Sequence, residues 1–172
     1  NADVGWEKSY QTNIGFDLFL LDRIGLTFDY YIKDTSDLLY FIAIPDVTGY
    51  SGYWENIGGV KNNGFEVFAN ADIIRNQDFQ WSVNFNIGIN KNEITELYES
   101  EPIIKGNKRL NIGKDINTWF MRKWVGVDPQ NGDPLWEVID QQTGQVSTTN
   151  NWNNATQQEV GTASPDYYGG FG

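Results

Sequence analysis

The residues able to do chemistry in this chain are of two kinds, carboxylates and aromatics. Histidine and cysteine are both absent from the 172 residues, which removes the commonest general base, thiolate zinc sites and disulfide stapling. Asp17, Asp29, Glu66 and Asp72 sit within alternating segments. A glycosidase needs two carboxyl groups within roughly 5–10 Å of each other across a sugar, and sequence sets no such distance for these four. The simpler reading, acidic side chains solvating a wet face, is favoured, and no enzymatic activity is expected. A hydrolase would have to show a rate that disappears when one carboxylate is removed. Asp128, Asn131 and Asp133 offer oxygen ligands for calcium. They lack the spacing and terminal glutamate of an EF-hand loop, and Asp-Pro and Asn-Gly steps form ordinary turns. No metal or other cofactor is therefore expected.

Aromatic rings are the other resource: Trp 7, Tyr 9 and Phe 10, beside 18 glycines and one methionine, a balance suited to strands and turns. Tyr53, Trp54, Trp119, Trp124 and Trp136 are the candidate ligand contacts, with Tyr50 and Trp152 in the same segments. A flat ring stacks on the apolar face of a sugar. Packing between loops and girdles at a lipid interface draw on the same residue types, and for any one ring those uses are favoured. Lys33, Lys61 and Arg23 pair at most with neighbouring carboxylates, and exposed pairs contribute little.

The elements that must position these residues announce themselves by alternation. From Phe79 to Asn90 the residues Phe79, Trp81, Val83, Phe85, Ile87 and Ile89 fall on one face of an extended strand; Gln80, Ser82, Asn84, Asn86, Gly88 and Asn90 fall on the other. At roughly 3.3 Å per residue and a tilt of about 40°, the run rises on the order of 30 Å, enough to cross an outer-membrane apolar band of ~25 Å. The same pattern predicts strands at about 12–21, 24–33 and 64–73. In the first, Ile14, Phe16, Leu18 and Leu20 share a face; in the second, Ile24, Leu26, Phe28, Tyr30 and Ile32; in the third, Phe65, Val67, Ala69, Ala71 and Ile73.

Connections alternate in length. Asp22-Arg23 and Arg75–Asp78 are short, while 34–59 and 91–165 are long, the first with room for a hairpin and the second with one further strand between Asn117 and Val127. After these, Ser164–Gly172 reads as the approach to another strand. Up-and-down strands place successive connections at opposite ends, so the short turns share one end and the long loops the other, as in outer-membrane barrels. Net charge is −11 from 12 basic and 23 acidic residues, which opposes binding to nucleic acid. No run of eighteen apolar residues exists for a transmembrane helix, and the mean hydropathy of −0.50 does not argue against a barrel, whose alternate residues are polar. The chain starts at Asn1 without a visible signal peptide, as a mature product or a piece of a longer chain would.

Several blocks also resemble a known family. Trp6-Glu7-Lys8, Asn13–Asp17, Asp29–Leu39, Trp54–Gly58, Asn63–Glu66, Gly126–Pro129 with Gly132–Trp136, and Pro165 through Gly170-Phe171 are similar, in order and spacing, to the later barrel of SusC/RagA-type TonB-linked outer-membrane proteins. The resemblance covers nearly the whole chain. It implies an all-β fold, an antiparallel transmembrane β-barrel segment from a barrel of about 22 strands, located in the bacterial outer membrane. It further implies import of a glycan or peptide nutrient, driven by TonB through a plug, with a SusD-like surface lipoprotein as partner. Neither plug nor TonB-contacting segment can be located in these residues, and four strands cannot close a barrel. The expectation is a partial barrel that supplies wall and extracellular loops to the transporter. The alternative is a soluble β-sandwich carbohydrate-binding module, whose apolar faces would be buried against a second sheet.

Overall fold

The computed structural model describes residues 4–45, 47 and 49–172; Asn1–Asp3, Asp46 and Thr48 lie outside the described residues, the last two within the long loop read at 34–59. Among the described residues fourteen strands follow in order: β1 Lys8–Leu20, β2 Ile24–Ser36, β3 Leu39–Ala43, β4 Gly52–Asn56, β5 Gly59–Arg75, β6 Gln80–Glu96, β7 Ile103–Lys105, β8 Lys108–Leu110, β9 Thr118–Arg122, β10 Trp124–Val127, β11 Pro134–Ile139, β12 Val146–Thr149, β13 Gln157–Thr162 and β14 Tyr168–Phe171. The chain divides into two compact units. One runs to Glu101 and takes in Ile112–Lys114 and Pro165–Gly172; the other holds Pro102–Asn111 and Asp115–Ser164.

The first unit is built on an antiparallel sheet in the order β1-β2-β5-β6-β14. Its register aligns the alternating patterns of separate strands into continuous rows. Phe16 opposes Phe28, Phe28 opposes Val67, and Val67 opposes Ile87. One row along, Leu18, Leu26, Ala69, Phe85 and Phe171 line up across all five strands. Because directly opposed residues point to the same side, these rows make one apolar face. Phe16 and Phe28 stack with centroids 5.4 Å apart, and Phe28 and Phe65 at 6.2 Å. On β2 the face runs from Ile24 to Ile32, roughly 30 Å along the strand and so roughly 23 Å in height at a tilt of about 40°. A one-residue slip would turn the whole set over, so the register is strongly specified.

Among the described residues of this unit, no second layer covers that face. Trp81 and Phe85 are 50% and 42% exposed, and among the described residues the only buried apolar side chains are Ile94, at 2%, and Ala155. Ile94 lies beyond the apolar rows, where Lys114 O accepts from its N–H at 2.8 Å and its own carbonyl accepts from Gly113 N at 2.8 Å.

The sheet departs from the sequence reading at its margins. All four long strands start or end beyond the predicted bounds, β5 at Gly59 and β6 at Glu96, because strand pairing continues where the apolar alternation has stopped. A bulge between Asp72 and Ile74 sets Ile74, not Ile73, opposite Trp81. The short turns hold as turns: Leu21 and Asp22 have positive φ of 54° and 53°, and Asn76 Oδ1 accepts from the N–H groups of Asp78 and Phe79 at 3.1 and 2.8 Å. The hairpin within 34–59 is β3–β4. Ser164–Gly172 contains β14, which pairs with β6 through Tyr168↔Gly88 to Phe171↔Phe85.

The second unit has a sheet β13-β9-β8-β7 and a meander β10-β11-β12. Where one strand was expected between Asn117 and Val127 there are two, in different sheets, β9 pairing with β13 and β10 with β11. The chain changes sheet at Lys123, whose carbonyl accepts from Glu137 N at 2.9 Å. Asp115 ties the base of this unit together: its Oδ1 accepts from Asn117 N at 2.6 Å and from the hydroxyls of Thr162 and Ser164, both at 3.0 Å.

The meander turns at Asp128 and Asp140 share one construction. Gly132 N and Gly144 N donate to the carbonyls of Asp128 and Asp140, each at 2.8 Å, while each aspartate carboxylate accepts from the amide two residues on. Backbone N–H groups of Thr143 and Gln142 hold the Asp140 carboxyl below the usual carboxylate range. A depressed folded pKa means that the contribution is complete above the ordinary value near 4 and is lost as pH falls through the lower folded value. Hydrogen-exchange protection of the Gln142 and Thr143 amides, corrected for intrinsic rate, is expected to fall across that window in the wild type and to stay flat in Asp140→Asn. Equal pH dependence in both would dismiss the role given to this carboxylate.

Candidate functional site

Opposite the apolar face, the large sheet presents a polar wall. Its rows contain Gly15, Asp29, Glu66, Gly88 and Tyr168, then Asn13, Tyr31, Gly64 and Asn90, as the register dictates. Two tyrosines lie across glycines of the neighbouring strand and reach one strand further. Tyr31 on β2 crosses Gly64 and donates to Asn90 Oδ1 at 2.8 Å; Tyr168 on β14 crosses Gly88 and donates to Glu66 Oε1 at 3.1 Å. A Cβ on Gly88 would stand 2.5 Å from the Tyr168 ring, and one on Gly64 2.9 Å from the Tyr31 hydroxyl. The glycines supply the groove in which each ring lies, an aromatic-over-glycine arrangement that pins register.

The four carboxylates of the sequence reading are distributed along this wall. Asp17 accepts from Thr27 Oγ1 at 2.7 Å and Asp72 from Ser82 Oγ at 2.8 Å, which leaves them as cross-strand ties. Asp29 and Glu66 are direct neighbours on β2 and β5. They border two open recesses, one of 370 Å³ with Gln11, Asn13, Tyr31 and Lys33, and one of 510 Å³ with Thr27, Phe68, Asn86 and Tyr168. Amides Asn62, Asn90 and Asn92 extend the wall, with Asn92 Nδ2 donating to Asn62 Oδ1 at 2.8 Å. Asp29 and Glu66 are thus like charges facing each other, an arrangement that costs stability, set in a wall of amides and tyrosines.

The candidate aromatic contacts separate into groups. Tyr53 and Trp54 are consecutive on β4, so their side chains leave opposite faces. Trp54 meets Phe41 edge-on at 5.3 Å. Tyr53 shares a hydrogen bond with Tyr98, and that bond, followed by the charge of Glu99, pushes the Tyr98 hydroxyl up to about 12. Both Tyr53 and Trp54 border an open recess of 640 Å³ with Val4, Leu39 and Gly52. In the second unit Trp119 takes the Lys108 ammonium over its ring at 5.7 Å, a contact separate from the others. Trp124 and Trp136 are opposed on β10 and β11, and Trp136 meets Trp152 edge-on at 4.5 Å. Asp128 and Asn131 accept within the turn, from Gln130 N and Asp133 N, and Asp133 accepts from Asn131 Nδ2 and Asn150 Nδ2. Among the described residues no group of three acidic, histidine or cysteine side chains is arranged to hold a metal ion.

Sequence reasoning missed the residues that fasten the loop hairpin. Asn56, at the end of β4, accepts from Gly5 N at 2.6 Å, donates to Gly5 O at 3.1 Å and donates to Asp37 O at 2.7 Å. Glu7 accepts from Leu39 N at 3.0 Å and Lys8 pairs with Asp37 at 2.8 Å. Both Trp6-Glu7-Lys8 and Trp54-Glu55-Asn56 stood out as blocks, and their shared purpose is this clamp. Asn56→Ala is expected to cost about 1–3 kcal/mol locally and to make the β3–β4 hairpin of the full-length protein several-fold more sensitive to limited proteolysis. Unchanged cleavage would remove Asn56 from that role.

A family profile described as "TonB dependent receptor-like, beta-barrel" matches residues 1–172. The chain is 40% identical over 128 residues to TonB-dependent receptor P39 of Formosa agariphila, covering 74% of this chain and 12% of that protein. It is 40% identical over 160 residues to TonB-dependent receptor SusC of Bacteroides thetaiotaomicron, covering 84% of this chain and 16% of SusC. Among solved structures, the RagAB peptide importer in its "closed-closed" state superimposes with a TM-score of 0.81 and 27% identity over 99% of this chain and 20% of that one. The chain thus spans less than a fifth of the curated relatives' length. The open apolar face and these matches replace the soluble sandwich by a segment of barrel wall.

Proposed function

Because this chain belongs to the TonB-dependent receptor-like β-barrel family, we propose that it forms part of the wall and the outer loops of an outer-membrane importer that takes up a nutrient at the expense of TonB-coupled energy. One observation carries the reading: five strands present a continuous apolar face of roughly lipid-spanning height, left uncovered among the described residues of the first unit, and a polar face behind it. The apolar side meets hydrocarbon and the polar side lines the lumen. The loop aromatics Tyr53, Trp54, Trp119, Trp124 and Trp136 are the ligand contacts of this reading, and the ligand is a glycan or a peptide. Likeness to SusC and to RagAB supports pairing with a SusD-like surface lipoprotein. The residues supply walls and contacts, not bond-breaking chemistry.

The test uses the full-length protein in its own outer membrane. It is expected to sediment with outer-membrane markers, to change mobility on heating in detergent as folded barrels do, and to support nutrient uptake that stops when TonB is deleted. A protein found in the soluble fraction, or uptake indifferent to TonB, would refute the proposal.

A further inference from the structure

Asparagine followed by glycine is the step at which a polypeptide most readily modifies itself, and the sequence has it at Asn63-Gly64 and at Asn131-Gly132. The glycine nitrogen, having lost its proton, attacks the asparagine Cγ; the N–Cγ bond forms, the Cγ–Nδ2 bond breaks, and ammonia leaves with that proton. Water then opens the cyclic imide at either carbonyl and leaves aspartate or isoaspartate. Glycine is the favoured second residue because it has no side chain to block the attack. Asn63-Gly64 lies inside β5, between β2 and β6, with Gly64 buried. Asn131-Gly132 stands exposed in the turn between β10 and β11.

In this turn the reacting atoms are themselves hydrogen-bonded. Gly132 N, the attacking atom, donates to Asp128 O at 2.8 Å. The Asn131 amide is held at both ends: its Oδ1 accepts from Asp133 N at 2.9 Å and its Nδ2 donates to Asp133 Oδ2 at 3.1 Å. Asn150 Nδ2 donates to the same Oδ2 at 3.0 Å and so steadies the carboxylate from beyond the end of β12. Pro129 and Pro134, each with its φ fixed by the ring, bracket the turn, and Asp128 N donates to Asp133 O at 2.8 Å. Cyclisation has to swing the amide carbon of Asn131 onto Gly132 N, which gives up all three bonds on the reacting atoms. The Asp133 charge also opposes loss of the Gly132 proton, since a nearby negative charge disfavours a second one. A hydrogen bond of ordinary net strength slows a step that must break it by about fivefold. Once formed, the imide has no Gly132 N–H, so the bond to Asp128 O is lost from the turn that joins β10 to β11.

We propose that Asn131 is a latent deamidation site and that Asp133 is the positioning residue that holds it unreacted. The test incubates full-length protein in detergent and mildly alkaline buffer, beside a synthetic peptide of residues 126–136, and follows aspartate and isoaspartate at Asn131 and at Asn63 by mass spectrometry. With three bonds to break, Asn131 is expected to react about a hundredfold more slowly in the protein than in the peptide. Asp133→Ala removes the bond to Nδ2 and is expected to raise the rate at Asn131 about fivefold or more while leaving Asn63 unchanged. Asp133→Asn keeps an acceptor for Nδ2 and cannot itself cyclise, because Pro134 has no N–H; it is expected to recover part of the protection. Asn150→Ala, which only loosens the carboxylate, is expected to give a smaller rise than Asp133→Ala. A wild-type rate equal to that of the peptide, no rise in Asp133→Ala, or a rise of the same size at Asn63 would overturn the proposal.

Discussion

Val67→Arg is expected to abolish assembly of the full-length barrel, while Phe68→Arg, one residue further on, is expected to leave it near the wild-type level. Val67 sits in the middle of the row Phe16, Phe28, Val67, Ile87, at about mid-height of the apolar face. An arginine on the lipid face at mid-bilayer costs about 2–4 kcal/mol, a large share of the 5–15 kcal/mol that separates folded from unfolded states in typical domains. Phe68 points the other way, between Thr27 and Asn86, where a guanidinium keeps water and gains Glu66 and Asp29 as neighbours. The fraction of protein with heat-modifiable mobility in outer-membrane preparations reads both variants. Equal loss in both would mean that the two faces do not differ in what they meet.

Gly64→Val and Gly88→Val are expected to have the second largest effects. Each adds a side chain where a tyrosine ring lies. At Gly64 the new Cβ would also collide with the backbone oxygen of Ile89, which cannot swing aside as a side chain can. Overpacking of this kind costs about 1–3 kcal/mol, and eviction of Tyr31 forfeits its bond to Asn90, about 1 kcal/mol more. At Gly88 the loser is Tyr168, whose bond to Glu66 fastens β14 to the sheet after the long excursion from β6. Unfolding of the reconstituted full-length barrel by urea should show a lowered midpoint for both variants. Tyr168→Phe should show a smaller loss, since the ring still fills the groove. Wild-type midpoints in the glycine variants would mean the grooves are not needed.

The contrast between these two predictions reflects how much the sequence exposes. The apolar face was legible because its cause is local: from Phe79 to Asn90 each side chain meets one of two media, so hydropathy alternates with the strand's own period. The tyrosine latches were not. Nothing near Tyr168 in the sequence says that Gly88 and Glu66 lie beneath it, eighty residues and more upstream, because that follows only from register. Strands of three to six residues, as in β7 to β13, contain too few turns of the pattern to declare themselves, and Lys123 gives no sign that the chain changes sheets there. The candidate aromatics were found as residue types, but their division into groups was not, since it depends on which strands pair. The facing of Trp124 and Trp136 needed the β10–β11 register to become visible.

On the proposed reading, Ile87 and its row face hydrocarbon while Asn86 faces an aqueous lumen. Single cysteines placed at Ile87 and at Asn86 in the full-length protein, in a background lacking other reactive thiols, can carry a nitroxide label in reconstituted bilayers. Collision rates with oxygen, which concentrates in lipid, and with a water-soluble nickel complex distinguish the two media. The label at 87 is expected to collide with oxygen and to be shielded from nickel, and the label at 86 to be shielded from lipid-dissolved oxygen. A label at 87 that is shielded from both reagents, as inside a protein core, or that meets nickel freely, would contradict this reading.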